Sequence, residues 1–127
     1  MIDALFNDTN YVAAKKMLDA TAMRQEAIAS NLANIDTPNY KRIDVTPSFS
    51  AELKQALGSG NTDQLATLQP KLGVDSTAVA QSRDGNTVNL ETELASLQQN
   101  TLAHTLETQL VSYTLVQLQT AITGRTG

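Results

Sequence analysis

A chain of 127 residues with no Cys, 9 Lys and Arg against 13 Asp and Glu, and only 4% aromatics is one small domain or a long helical hairpin with few large side chains for a core. The net charge of −4 argues against nucleic acid or an anionic membrane as the main partner, because both call for clustered basic residues, and zero Cys excludes disulfides and thiolate metal sites. No apolar run approaches the roughly 18 residues that span a bilayer, and Asp3, Asn7 and Asp8 interrupt any secretory hydrophobic core, so export is expected to proceed without a cleaved signal.

From about Asp8 to Asn34, Tyr11, Ala14, Leu18, Ile28, Leu32 and Ile35 recur at three- and four-residue spacing without an intervening Gly or Pro, which predicts an amphipathic helix. Asp8 or Thr9 is its expected N-cap. Pro38 drives Thr37 out of the α region, so the helix should stop near Ile35 or Asp36. Pro38 presets the first corner of a type II turn and Asn39 tolerates the positive φ of the second. Asn31 and Asn34 are placed to bond the last helical carbonyls, and Tyr40 to fold back as a clamp. Residues 48–57 predict a short helix stopped by Gly58-Ser59-Gly60, while residues 61–89 show no sustained period. Asp84-Gly85-Asn86 is a turn signal that would close a small hairpin between Val79 and Val88.

The last element is the most regular. Leu90, Leu94, Leu97, Thr101, His104, Thr108, Val111, Leu115, Leu118 and Ile122 step by four and three, which predicts a heptad seam roughly 50 Å long. Asn89 suits its N-cap, Glu91 and Glu93 the positive end of its dipole, and Gly124 with Arg125 its other end. Thr101, His104 and Thr108 put polar groups at three successive seam positions, so a two-helix hairpin should be weakest at its centre and marginal in isolation. Leu102, Leu106, Leu110 and Tyr113 form a second stripe, and Glu107 is the only formal charge between Leu94 and Gly124. A helix so poor in charge is expected to be surrounded by protein on most sides.

No catalytic constellation appears. His104 lacks a second His, a Cys or a carboxylate at i±4, and is expected to be a packed or hydrogen-bonded structural residue rather than a ligand or base. Setting Gly85 as the sixth position of a calcium loop leaves Ala80, without a side-chain oxygen, at the first, so a tight turn is the better reading. Gly58-Ser59-Gly60 lacks the Lys of a phosphate loop, Asn7-Asp8-Thr9 is too short a glycosylation triplet to carry weight, and Lys15-Lys16 and Lys41-Arg42 read as solvated basic pairs. No metal and no cofactor are expected.

One stretch is more specific: Asn31, Leu32, Ala33, Asn34, Thr37, Pro38, Tyr40 and Lys41 closely resemble the N-terminal signature of the bacterial flagellar axial proteins, N-L-A-N-x-x-T-P-G-Y-K, with Asn39 in place of its Gly. The short chain is similar to the proximal rod members. A second signature, Asp84, Gly85, Asn86 and Val88 followed by Glu91, Glu93 and Asn100, resembles the type found at the base of the rod, with Asn89 where an Asp is usual and His104 where an aromatic is. The resemblance implies a mainly α protein whose long N- and C-terminal helices pair as an antiparallel, coiled-coil-like hairpin around a short irregular, β-containing middle. It divides the chain into an N-terminal helix (1–36), a turn, short helix and hairpin insertion (37–89) and a C-terminal helix (90–127) within one unit. It also implies a non-enzymatic subunit of the periplasmic rod that polymerises with itself and other rod proteins, contacts the rod-base adaptor, the MS ring and the type III export gate, and helps transmit torque.

On this reading Ala14, Leu18, Ile28, Leu32 and Ile35 pair with Leu90, Leu94, Leu97, His104, Val111, Leu115, Leu118 and Ile122, and the turn from Thr37 to Lys41 aims the middle segment outward. The alternatives are another small rod protein or, from a different class, a helical-hairpin secretion chaperone.

Overall fold

The computed structural model describes residues 9–124. Among them the order is α1 (Thr9–Ala33), β1 (Ile43–Val45), α2 (Pro47–Ser59), α3 (Thr62–Thr67), β2 (Leu72–Val74) and α4 (Leu90–Thr123). The Asp8 cap, Arg125, the interrupting residues Asp3, Asn7 and Asp8, and most of the Asn7-Asp8-Thr9 triplet lie outside the described residues.

The fold is mainly helical, with the two long terminal helices packed along each other and a short middle containing two small strands. Cross-helix bonds run from Asn31 to Glu93, Gln25 to Asn100 and Thr21 to Glu107, so α1 is traversed backwards as α4 advances and the pair is antiparallel. Helix α4, at 34 residues, is capped by the Asn89 side chain accepting from Thr92 N, and ends on Gly124 in the left-handed region (φ 66°). Helix α1 stops at Ala33, two residues before the expected end, because the chain tightens into successive turns there: Ile35 N bonds Leu32 O and Thr37 N bonds Asn34 O. Asn39 has φ 61° and Tyr40 N reaches Thr37 O, the turn expected of Pro38-Asn39.

The middle segment departs from expectation. No hairpin joins Val79 to Val88. The strands that pair are Ile43–Val45 and Leu72–Val74, antiparallel in the register Ile43↔Val74 and Val45↔Leu72. Nor does this segment project outward. Helix α2 begins with Pro47 after an extended Thr46 and ends on left-handed Gly60, and α3 follows at once, capped by Asn61. Together they fold back so that Val45, Phe49, Leu53, Ala56, Leu65 and Leu68 form a core against Ala13 and Ala20 of α1, and the Thr9 and Thr62 hydroxyls meet at 3.0 Å. The physical reason is burial: folding back lets these six side chains leave water against one another and against α1. Helix α1 is thus held between α4 and the middle segment.

Candidate functional site

The two signature segments, about fifty residues apart, dock on each other at the end where α1 stops and α4 starts. Asn31 is wholly buried at the centre and uses its full bonding capacity: Oδ1 accepts from Ile43 N (3.0 Å) and Tyr40 OH (3.2 Å), and Nδ2 donates to Ile43 O and Glu93 Oε1 (both 2.9 Å). Asn34, as expected, donates to Ser30 O at 2.8 Å, whereas Asn31 does not bond α1's own carbonyls. Asn86 holds the turn that follows α1: its Nδ2 lies 2.8–3.0 Å from the carbonyls of Asn34, Ile35 and Thr37 while Oδ1 accepts from Val88 N, so the second signature supplies the donor for the first.

Around this core Asn39 N bonds Asp84 O, Thr87 N bonds Tyr40 O and Lys41 Nζ bonds Gly85 O. Gly85 sits at φ 81°, a conformation that favours Gly, with its position for a Cβ 2.6 Å from Asn39 Oδ1, so a side chain there would be strained and would displace the Asn39 amide. Arg42, expected to be solvated, is buried: its Nε donates to Glu93 Oε1 (2.5 Å) and its Nη1 to Asp75 (2.9 Å) and Asp44 (3.2 Å), tying α4 to both strands. Burial works against the Arg42 charge, but the Glu93 hydrogen bond and the Glu93 and Asp44 carboxylates outweigh it and hold its pKa above the ordinary value. Glu93 lies in the first turn of α4, as expected, but faces the junction, completely buried. Arg42 and Glu93 could not be paired from the sequence, since 51 residues separate them and neither lies in an apolar period.

Along the helix pair, one expected heptad row turns Leu97, Val111 and Leu118 inward but leaves Leu90 and His104 exposed, and the other row is displaced by one residue. Leu97 and Val111 are half-buried, Leu118 is buried, and His104 lies exposed with Nδ1 3.2 Å from Thr21 Oγ1. The second inward row is Glu93, Asn100, Glu107 and Thr114 rather than Leu94, Thr101, Thr108 and Leu115: Glu93 is 0% exposed and Leu94 45%. Leu90, Leu115 and Ile122 are exposed as well. On α1, Ala14 and Ile28 are buried and Leu18 and Leu32 half-buried; Ile35, also half-buried, lies in the turn beyond. Polarity caused the displacement, because Asn100 and Glu107 look like surface residues until their partners are seen. Asn100 Nδ2 bonds Thr21 O and Gln25 Oε1, and Glu107 accepts from Thr21 Oγ1 at 2.9 Å. Burial raises the Glu107 pKa, against the Thr21 bond and the His104 and Arg24 charges that would lower it.

The face of α4 turned away from α1 carries Leu102, Leu106, Leu110, Tyr113 and Val116, each more than half exposed. The threonines of α4 are less polar than they look. Thr101, Thr105, Thr108, Thr114, Thr120 and Thr123 each donate their hydroxyl to the carbonyl four residues back, satisfying it within the helix. With Glu107 turned inward, this surface carries no formal charge from Leu94 to Gly124 when His104 is neutral. Among the described residues no cluster of His, Cys, Asp or Glu could hold a metal, and no helix is long and apolar enough to cross a membrane.

The paired segments that build this junction are those of a class of structural proteins of the bacterial flagellum. The description "Flagella basal body rod protein" matches residues 18–41, from the second half of α1 through the turn. The chain is 30% identical over 118 residues to the flagellar basal body rod protein FlgB of Borrelia hermsii, covering 79% of this chain and 85% of the relative. It therefore belongs to the flagellar basal body rod proteins. Its similarity to FlgB extends to Cereibacter sphaeroides, at 32% over 109 residues (80% and 84% covered), and to Salmonella typhimurium, at 29% over 126 residues (87% and 90% covered).

Proposed function

We propose that this structural protein of the basal body rod is a proximal-rod subunit that polymerises through its terminal helices, contacts the rod-base adaptor, MS ring and export gate below, and passes torque along the rod. The observation that carries the reading is the outer face of α4, apolar and free of formal charge on a helix whose opposite side already packs on α1. A face of that kind leaves water only against another protein surface. The junction serves the same end by fixing the angle at which α1 and α4 meet, so that every copy presents the same surface. Export without a cleaved signal and a role that involves no catalysis complete the reading.

The test is fractionation. A rod subunit co-purifies with detergent-extracted basal bodies, and replacing Leu110 with Asp should abolish motility while the protein is still secreted. Recovery of the protein only in the cytoplasm, one to one with a client, would instead make it a secretion chaperone.

A further inference from the structure

A single hydroxyl joins the two long helices near their middle. Thr21 is buried, and its Oγ1 lies 2.9 Å from Leu18 O, 2.9 Å from Glu107 Oε2 and 3.2 Å from His104 Nδ1. A hydroxyl has one proton to donate and two lone pairs that accept. Leu18 O lies inside α1 and has its helical amide in any case, so the proton is contested between Glu107 and His104. When His104 is neutral with its proton on Nε2, both are acceptors and one of them faces the hydroxyl oxygen with no proton between. A proton on Nδ1 completes the set: Nδ1–H donates to Oγ1, and Oγ1 donates to Glu107. The neutral tautomer protonated on Nδ1 makes the same bonds, but only the imidazolium adds a positive charge beside the carboxylate. We propose that Thr21, His104 and Glu107 form a proton-operated clasp, which tightens the pairing of α1 with the distal half of α4 when His104 carries its second proton.

The surroundings favour that proton. Glu107 makes no ion pair among the described residues, and burial penalises its charge. Arg24 of α1 and Lys54 of α2 line the groove on its side, but Arg24 is engaged with Asp44 at 3.0 Å. On the other side His104 borders a groove of about 380 Å³ between α1 and α4 whose lining holds no other ionisable side chain. His104 is itself exposed, so protons reach it from solvent. The position gives the clasp its leverage: past Asn100 the one buried side chain of α4 among the described residues is Leu118, so a polar link at Thr21 weighs heavily on the distal pairing. Histidine changes charge between about pH 5 and 8. The clasp binds its proton in the paired state, so its stabilisation is present on the acid side of that range and is lost as pH rises through it. The inference concerns the helix pair within one chain and goes beyond the rod-subunit reading without depending on it.

The chain has one His, which makes the test direct. Urea unfolding of the full-length chain would be followed at about pH 7.5 and about pH 5.5, either side of the histidine range, for the wild type, His104→Gln and Thr21→Val. Glu107 and every other carboxylate are common to all three, so their titration cancels in the comparison. Between the two pH values the wild-type folding constant should gain about threefold or more over that of His104→Gln, and Thr21→Val, which keeps the imidazole and loses the hydroxyl, should follow His104→Gln. Thr21→Ala removes the same hydroxyl and takes the place of Thr21→Val should that variant fail to fold. Parallel pH responses of the wild type and His104→Gln would overturn the inference. A wild-type response retained without the Thr21 hydroxyl would also overturn it, since His104 would then act on Glu107 through space and no clasp would exist.

Discussion

Gly85 and Asn31 show how few atoms hold the two signatures together. An Ala at Gly85 meets both an unfavourable positive φ and the Asn39 side chain, and should cost about 2 kcal/mol or more, read as a lowered urea midpoint at unchanged slope. Gly58 is the control: it lies within α2 with nothing near its Cβ position, so Gly58→Ala should stabilise by about 0.5–1 kcal/mol. Asn31→Ala removes four bonds and strands the Ile43 amide and carbonyl. Each buried group left without a partner costs about 1–3 kcal/mol, so this variant should be the most damaging of the three in the same titration. Asn34, Pro38 and Asn39 were legible as turn and cap residues, whereas Asn31, read as a cap as well, bonds no carbonyl of α1. That Asn31 would reach β1 and α4 was not legible, because a side-chain amide carries no periodicity that points to a distant partner.

The helix pair and the strands titrate in opposite directions. The Glu107 pKa is raised by burial, so its contribution is fully present below the ordinary carboxylate pKa and lost as pH rises through the folded value. Glu107→Gln should therefore melt higher than the wild type at neutral pH, with the difference fading below about pH 4. The Asp75 pKa is lowered, first by the Thr77 hydroxyl and then, against some desolvation, by the Thr77 amide and Arg42, so its contribution is present above the ordinary value and lost as pH falls through the folded one. Asp75→Asn should be less stable at neutral pH and match the wild type in strong acid, which the same melting series would show. The displaced heptad row belongs to this scale too. Hydrophobicity selected Leu94 and Leu115, yet a helix with two apolar sides has two candidate seams, and Thr21, Gln25 and Asn31 on α1 select the one that gives Glu93 Oε1 and Asn100 Nδ2 their partners.

Across the whole molecule, order is concentrated at the junction end. After Asn100 the one fully buried side chain of α4 among the described residues is Leu118, so Leu118→Ala should cost about 2–4 kcal/mol while Leu106→Ala costs the isolated chain little. Amide hydrogen exchange should be slowest around Asn31, Arg42 and Glu93 and faster along the distal half of α4, where tertiary burial is thin.

The sequence by itself determined the two long helices, the Asn89 and Gly124 caps of α4, the Pro38-Asn39 turn and the membership carried by its two signatures, because those features are local: period, cap and turn chemistry act within a few residues. The tertiary structure alone decided that the middle segment folds back on α1, that Leu72–Val74 pairs with Ile43–Val45, and that Arg42 and Glu93 meet. Each of those is a contact between segments distant in sequence, chosen by which surfaces can leave water together and which buried polar groups find partners. The few aromatics and few charges noted at the outset describe a chain whose own core is small and whose longest helix turns its uncharged side outward.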